Sequence, residues 1–165
     1  MNVNFKPEVE VSTPGETDVV VKRKFNAPVE LVWRCYTDPA LIPRWLGGYP
    51  GWTMPVCEMD LRVGGTYTWR WRNDEQGMEF GFTGTFEEIV PHKLIVHSER
   101  PMDVPEMGDS HNVIEFVPLG DMTELVMTMS YANAEVRRSV LDTGMTDGMG
   151  VSFDLLDTLL AEQGA

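Results

Sequence analysis

Three polar side chains in the second half of the sequence are of types that carry out acid–base or metal chemistry. His97 and Glu99 are two residues apart, so in an extended strand they point to the same face. His111 lies on the next predicted strand, and the three residues form a polar cluster if both histidines point inward. The alternative is that the histidines face solvent or form hydrogen bonds with one another. A metal site of two histidines and a carboxylate is conceivable, but no pattern such as H-E-x-x-H occurs, so neither metal nor cofactor is expected.

The nucleophilic side chains have no base near them in the sequence. Cys57 alternates with Met59 and Leu61 on one strand face, which indicates a small core side chain, and Cys35 lies on the apolar side of a predicted helix. Residues 108–111 contain the side chain types of a hydrolytic triad, but neighbours on an extended segment point in opposite directions. No catalytic residue is assigned. The sequence favours a protein without enzymatic activity, and an enzyme remains the alternative.

The remaining candidates are apolar side chains that would surround a ligand. Aromatic residues and methionines recur along the predicted strands and the C-terminal helix, and the 11 methionines exceed ordinary usage. Methionine adapts its shape to irregular or varied ligands, whereas the alternative is that the same side chains fill a solid core. With the polar candidates, the expected ligand-binding set is Trp45, Met54, Trp69, Trp71, Phe80, Phe82, His97, Glu99, His111, Met127, Met129, Met145, Gly148, Met149 and Phe153.

The elements that must position these residues follow from two changes of hydrophobic period. Asp18–Phe25 indicates a first strand, and residues 28–36 and 38–46 have helical spacing. Between Trp52 and Tyr131 the period is two, with turn signals that separate six segments, which predicts an antiparallel meander. The period then returns to 3.6 in a short helical piece and in a long helix over residues 143–161.

This order of elements predicts an α+β fold in which a seven-stranded curved antiparallel sheet wraps around the long C-terminal helix. Such a sheet often leaves a cavity beside the helix that it grips. Residues 1–16 are polar and lack a sustained period, which predicts a flexible N-terminal arm. Residues 17–165 are then one ligand-binding domain.

Composition and charge exclude several classes of protein. The 165 residues fit a single domain, and 42% hydrophobic residues are ample for a core. The 13 Lys and Arg against 26 Asp and Glu give a net charge of −13, which disfavours nucleic acid and anionic membranes as partners. No apolar run suits a signal peptide or a membrane span, and two cysteines are too few for a disulfide scaffold. We therefore expect a cytoplasmic protein with free thiols.

Several sequence blocks occur in an order that resembles a known family. They are Asn26-Ala27-Pro28, Val32-Trp33, Tyr36-Thr37-Asp38-Pro39, Arg44-Trp45, residues 57–65 (CEMDLRVGG), Gly84-Thr85-Phe86, Ile89-Val90-Pro91, Thr143-Gly144-Met145 and Gly148-Met149. The order closely resembles the activator of Hsp-90 ATPase homologue family of the START-like, Bet v 1-like (SRPBCC) superfamily. The resemblance implies a helix-grip fold and a deep pocket between sheet and terminal helix. In the superfamily that pocket holds lipids, polyketides, hormones and other hydrophobic small molecules.

The same resemblance leaves several activities open, because one fold hosts many functions. The first hypothesis is a domain that binds a lipid, polyketide or aromatic compound in the cavity. A small-molecule lyase, cyclase or hydrolase of the same fold is one alternative. An interaction domain like that of the Hsp-90 chaperone ATPase activator is the other. A homodimer also stays open.

The terminal helix contains small residues that need an explanation. Gly144, Gly148 and Ser152 are four apart and predict a small-residue ridge, although glycine inside a helix costs ~1 kcal/mol relative to alanine. A close approach of the helix to the sheet would offset this cost. The alternative is that the missing side chains leave room for a ligand.

Overall fold

The computed structural model of the chain describes residues 8–164, which form one antiparallel sheet and four α-helices. The strands are β1 (Glu10–Ser12), β2 (Asp18–Phe25), β3 (Thr53–Met59), β4 (Thr66–Asn73), β5 (Met78–Val90), β6 (Leu94–Pro101), β7 (Ser110–Leu119) and β8 (Met122–Ser130). The helices are α1 (Val29–Thr37), α2 (Ile42–Trp45), α3 (Ala134–Asp142) and α4 (Met145–Gly164). The strand order is β1-β2-β8-β7-β6-β5-β4-β3, and the predicted helix-grip α+β fold is confirmed.

The sheet of the described residues has eight strands, one more than the seven predicted. The additional strand is β1, which pairs antiparallel with residues 20–22 of β2 and lies inside the segment predicted as a flexible arm. Three exposed residues are too few to show a recognisable alternation. The fold therefore begins before residue 17, and residues 1–7 of the predicted arm lie outside the described residues.

The helices occur where their periodicity predicts them, with shifted ends. α2 begins at Ile42 rather than near residue 38, because the Asp38 carboxylate accepts a hydrogen bond from the backbone N–H of Ala40 at 2.9 Å and holds a turn there. α4 begins at Met145, because Gly144 has a φ of 80° that ends α3 in the left-handed conformation. Gly144 is thus outside α4 and outside the predicted ridge. No helix within residues 8–164 is long and apolar enough to cross a membrane.

The inner face of the sheet is apolar and packs against α1, α2 and α4. Alternate positions of β2 and β8 contribute buried side chains to this core, as the period of two requires. α4 contributes its second half, in which Phe153, Leu156, Leu159 and Leu160 are buried. The rings of Trp45 and Phe153 stack with centroids 6.4 Å apart and join α2 to α4.

One charged side chain, Arg23, is buried on this apolar face. Only 1% of its side chain is exposed, and its Nη2 lies 2.6 Å from Asp157 and 3.0 Å from Asp154, both on α4. Its Nη1 donates a hydrogen bond to the Lys24 carbonyl at 2.6 Å, and the guanidinium lies 4.8 Å from the Phe25 ring centroid. These contacts fix the position of α4 along β2.

The two aspartates should contribute unequally to this attachment. We expect Asp157→Asn to lower the free energy of unfolding by about 2 kcal/mol, because it leaves a buried guanidinium with one exposed partner. Asp154 is the matched control on the same helix. Its side chain is 76% exposed, and Asp154→Asn should cost less than about 1 kcal/mol. Urea denaturation followed by tryptophan fluorescence measures both losses, and equal losses would contradict the assignment.

Candidate functional site

His97 and Glu99 lie on the inner face of the sheet, where both contact Tyr67. The strand register places Tyr67 opposite Gly84 and Gly84 opposite Glu99, so these positions form a row across β4, β5 and β6. The Tyr67 hydroxyl donates a hydrogen bond to Oε2 of Glu99 at 2.6 Å and lies 2.9 Å from Nδ1 of His97. We call Tyr67, His97 and Glu99 the polar cluster.

Gly84 allows Tyr67 to reach across β5 to β6. A Cβ atom at Gly84 would collide with Cε1 and Cζ of the Tyr67 ring and with the carbonyl oxygen of Ser98. Any side chain at this position would therefore displace the ring. Tyr67 is absent from the ligand-binding set that the sequence predicts. The one signal that could have identified it is the glycine inside the alternating Phe82–Phe86 segment, because such a glycine marks a close approach.

His111 does not belong to the polar cluster. It lies opposite Ser98 in the pairing of β6 with β7, so it is exposed on the outer face, 3.5 Å from the Glu87 carboxylate. Of the two arrangements considered for the histidines, the one in which both point inward does not occur, because the register places Asn112 beside His97 and a shift of one residue reverses the face. Within residues 8–164, no group of three or more His, Cys, Asp and Glu side chains is placed to hold a metal ion.

Burial determines the protonation states in the polar cluster. It lowers the pKa of His97 to about 4, although the hydrogen bond to the Ser98 carbonyl opposes this, so the imidazole is neutral at pH 7. Burial raises the pKa of Glu99, and the hydrogen bond from Tyr67 opposes that effect. Burial and then the Glu99 charge raise the pKa of Tyr67, so its hydroxyl stays protonated. The cluster therefore contains one carboxyl group beside two neutral side chains.

The apolar candidates divide by burial. Trp45, Met129 and Phe153 are buried in the core. Trp71, Phe80 and Phe82 form an aromatic stack at the far end of β4 and β5, where Phe80 is 38% exposed. The candidates that remain partly exposed are Met54, Trp69, Trp71, Phe82, Met127, Met145, Gly148 and Met149.

Among the described residues, the surroundings of Gly148 in the first turns of α4 are open. Gly148 precedes the buried Ser152 and Leu156 by four and eight residues, so it lies on the face of α4 that turns toward the sheet. A Cβ atom at Gly148 would nevertheless meet no described atom within 4 Å. The explanation of Gly148 by close approach is therefore wrong. Met145 and Met149 flank this space and are themselves partly exposed.

Tyr131 connects this space to the polar cluster. Its hydroxyl lies 3.7 Å from the sulfur atoms of both Met129 and Met145, and so joins the end of β8 to the first turn of α4. Met129 lies opposite Asn112 in the pairing of β7 with β8, and Asn112 lies opposite His97 in the pairing of β6 with β7, so the register leads from Met129 to the polar cluster. We call the recess the part of the inner face that contains the polar cluster, the strand positions beside it and the first turns of α4: Tyr67, Trp69, His97, Glu99, Asn112, Met127, Met129, Tyr131, Met145, Gly148 and Met149.

A separate open groove of about 610 Å³ lies between the start of α1, the β5–β6 turn and β7. It contains none of the polar cluster. Its lining residues are Val29, Glu30, Pro91, His92, Lys93, Leu94, Glu115, Phe116, Val117 and Pro118. The recess is the candidate site, because the groups capable of chemistry converge there.

Comparison with known proteins identifies relatives of the chain. A family model described as Activator of Hsp90 ATPase homolog 1-like protein matches residues 26–161. A solved Rhodobacter sphaeroides structure is 31% identical with a TM-score of 0.87, over 94% of this chain and 99% of that one. A Nitrosomonas europaea structure is 26% identical with a TM-score of 0.79, over 92% and 99% of the two chains. No match was found among the curated proteins.

Two glycine substitutions should have opposite effects on stability. Gly84→Ala should lower the free energy of unfolding by about 1–3 kcal/mol, because the new methyl group collides with Tyr67 and with a backbone carbonyl. Gly148→Ala should raise it by up to about 1 kcal/mol, because alanine favours the helix and the methyl group enters open space. Thermal and urea denaturation measure both changes. A destabilised Gly148→Ala protein would show that α4 lies closer to the sheet than described.

The buried imidazole predicts a loss of stability in acid. Below pH 6.5 the unfolded chain protonates His97, whereas the folded chain resists protonation until about pH 4, so His97 contributes less to stability as pH falls through this window. The cost of His97→Gln should therefore be smaller at pH 4.5 than at pH 7, by about 2 kcal/mol. Urea denaturation at both pH values tests this. His111→Gln, on the exposed face, is the control and should show no comparable difference.

Proposed function

The chain belongs to the Activator of Hsp90 ATPase homolog 1-like family, and from that premise we propose that it binds a hydrophobic small molecule in the recess. The observation that carries the proposal is the open space at Gly148, on a helix face that otherwise turns buried side chains to the sheet. Protein interiors are packed as densely as organic crystals, so unfilled space at an inward-facing position is a candidate ligand site.

The walls of the recess suit an apolar ligand of variable shape. The Trp69 ring is partly exposed, and its centroid lies 4.9 Å from that of the buried Tyr67 ring, so it offers one aromatic surface to a ligand. Methionines at positions 127, 145 and 149 border the same space and are partly exposed. Their thioether side chains adjust to different ligand shapes and contact aromatic rings favourably. A lipid, a polyketide or an aromatic compound would meet these requirements.

A lyase, cyclase or hydrolase is the second candidate, and Glu99 is the observation that favours it. Its carboxyl group is only partly exposed and accepts a hydrogen bond from Tyr67, and burial raises its pKa above that of an ordinary glutamate, as is common for a carboxyl group that acts as an acid or base. Such a reaction would use Glu99 as the acid or base on a substrate bound in the recess. An interaction with a chaperone remains a prediction that rests on the family description alone.

Filling the space at Gly148 should weaken ligand binding without unfolding the protein. We expect Gly148→Leu to keep the wild-type melting temperature within a few degrees and to weaken binding of N-phenyl-1-naphthylamine at least about tenfold, because the new side chain occupies the recess. Thr158→Leu is the control on the exposed face of the same helix. Fluorescence titration of the probe measures the affinities, and Trp69→Phe should reduce any accompanying change in protein fluorescence. Equal probe affinity in the wild type, Gly148→Leu and Thr158→Leu would refute the proposed site.

A further inference from the structure

The hydrogen bonds around His97 fix which of its ring nitrogens carries the proton. The Tyr67 hydroxyl has one proton, and its shortest contact is to Glu99 Oε2 at 2.6 Å, so its oxygen accepts from His97 Nδ1 at 2.9 Å. The Ser98 carbonyl, 3.2 Å from the same nitrogen, can also only accept. Nδ1 therefore carries the proton, and the neutral ring presents a lone pair at Nε2.

A second chain of hydrogen bonds fixes the orientation of Asn112, which lies opposite His97 in the strand register. The backbone carbonyl of Glu99 can only accept, so the Ser110 hydroxyl donates to it at 3.4 Å. The Ser110 oxygen in turn accepts from Nδ2 of Asn112 at 3.0 Å. The amide oxygen Oδ1 of Asn112 is therefore left as an acceptor.

These two acceptors belong to residues that are paired across β6 and β7, and both lack a donor. His97 is 8% exposed and Asn112 is 5% exposed, and within residues 8–164 no donor reaches Nε2 of the one or Oδ1 of the other. Every described side-chain nitrogen or oxygen that is sealed from solvent has a partner, so these two atoms are accessible from outside the protein. Acceptors in so apolar a setting favour a donor from whatever occupies the space.

Within residues 8–164, the inner face of the sheet offers no unpaired Lys or Arg side chain to an anion. Among the Lys and Arg side chains of the described strands, Arg23 is the one that lies on this face. It is already paired with Asp154 and Asp157. Arg70, which follows the inward Trp69, points outward and pairs with Glu79 at 2.7 Å. The partly buried Glu99 and the net charge of −13 oppose an anion further.

We propose that the recess selects ligands whose polar group donates a hydrogen bond, namely an alcohol, a phenol or an uncharged amine, and that it rejects carboxylates and phosphates. This inference rests on the proposed function and specifies the ligand class for the same site. The apolar part of the ligand lies against Trp69 and the methionines. Its O–H or N–H group points to His97 Nε2 and Asn112 Oδ1.

Three ligands of nearly equal size separate this inference from the proposed function. 2-Naphthol donates a hydrogen bond, 2-methoxynaphthalene only accepts, and 2-naphthoate is an anion. Isothermal titration calorimetry at pH 7 should show that 2-naphthol binds at least about tenfold more tightly than the ether, a difference that one hydrogen bond to a buried acceptor supports. 2-Naphthoate should bind more weakly than either.

The outcomes and variants distinguish the two claims. Equal binding of 2-naphthol and the ether, or tighter binding of 2-naphthoate, overturns the donor requirement and leaves the proposed function standing. If none of the three binds, both claims fail. In His97→Phe, which keeps an aromatic ring at this position but removes the acceptor, the preference for 2-naphthol should fall at least about threefold. His111→Phe, on the outer face, should keep the full preference, and a loss there would contradict the assignment.

Discussion

A single helix cannot cover the inner face of an eight-stranded sheet, and this limit shapes the rest of the molecule. Strands about 4.8 Å apart make such a sheet roughly 34 Å wide, whereas a helix with its side chains is about 10–12 Å across. The sheet must curve, and α1 and α2 must share the apolar face with α4. The buried second half of α4 lies over β2, to which Arg23 attaches it. Because the buried part of α4 is its second half, the recess remains beside the first turns of this helix.

Two glycines show how one residue type serves opposite purposes in this fold. At Gly84 the neighbouring atoms crowd the α-carbon, and the missing side chain lets Tyr67 cross a whole strand to reach Glu99. At Gly148 no atom of residues 8–164 lies within 4 Å of a Cβ atom at this position, and the missing side chain leaves space. The polar cluster and the recess therefore both depend on side chains that are absent. The sequence shows where the glycines are, but only the pairing of β4, β5 and β6 distinguishes their roles.

The parts of the structure that sequence reasoning predicted are those with a long local pattern. Asp18–Phe25 and the meander have the period of two, and α4 has a stripe of apolar residues, so their types and approximate bounds follow from local rules. β1 is too short to show any period. The outward position of His111 depends on the register between β6 and β7, which long-range pairing sets. Tyr67 was missed for a similar reason, since its hydroxyl finds its partners two strands away.

The attachment of α4 by Arg23 also has a consequence for how the chain reaches this state. Arg23 is separated by 131 and 134 positions from the aspartates that bind its guanidinium. During synthesis β2, which carries Arg23, therefore leaves the ribosome long before α4 exists. Its apolar face and its guanidinium group then have nothing to pack against. Contacts so distant along the chain slow folding, because a large loop must close before they form. The core can therefore be completed only after the twenty residues of α4 have emerged.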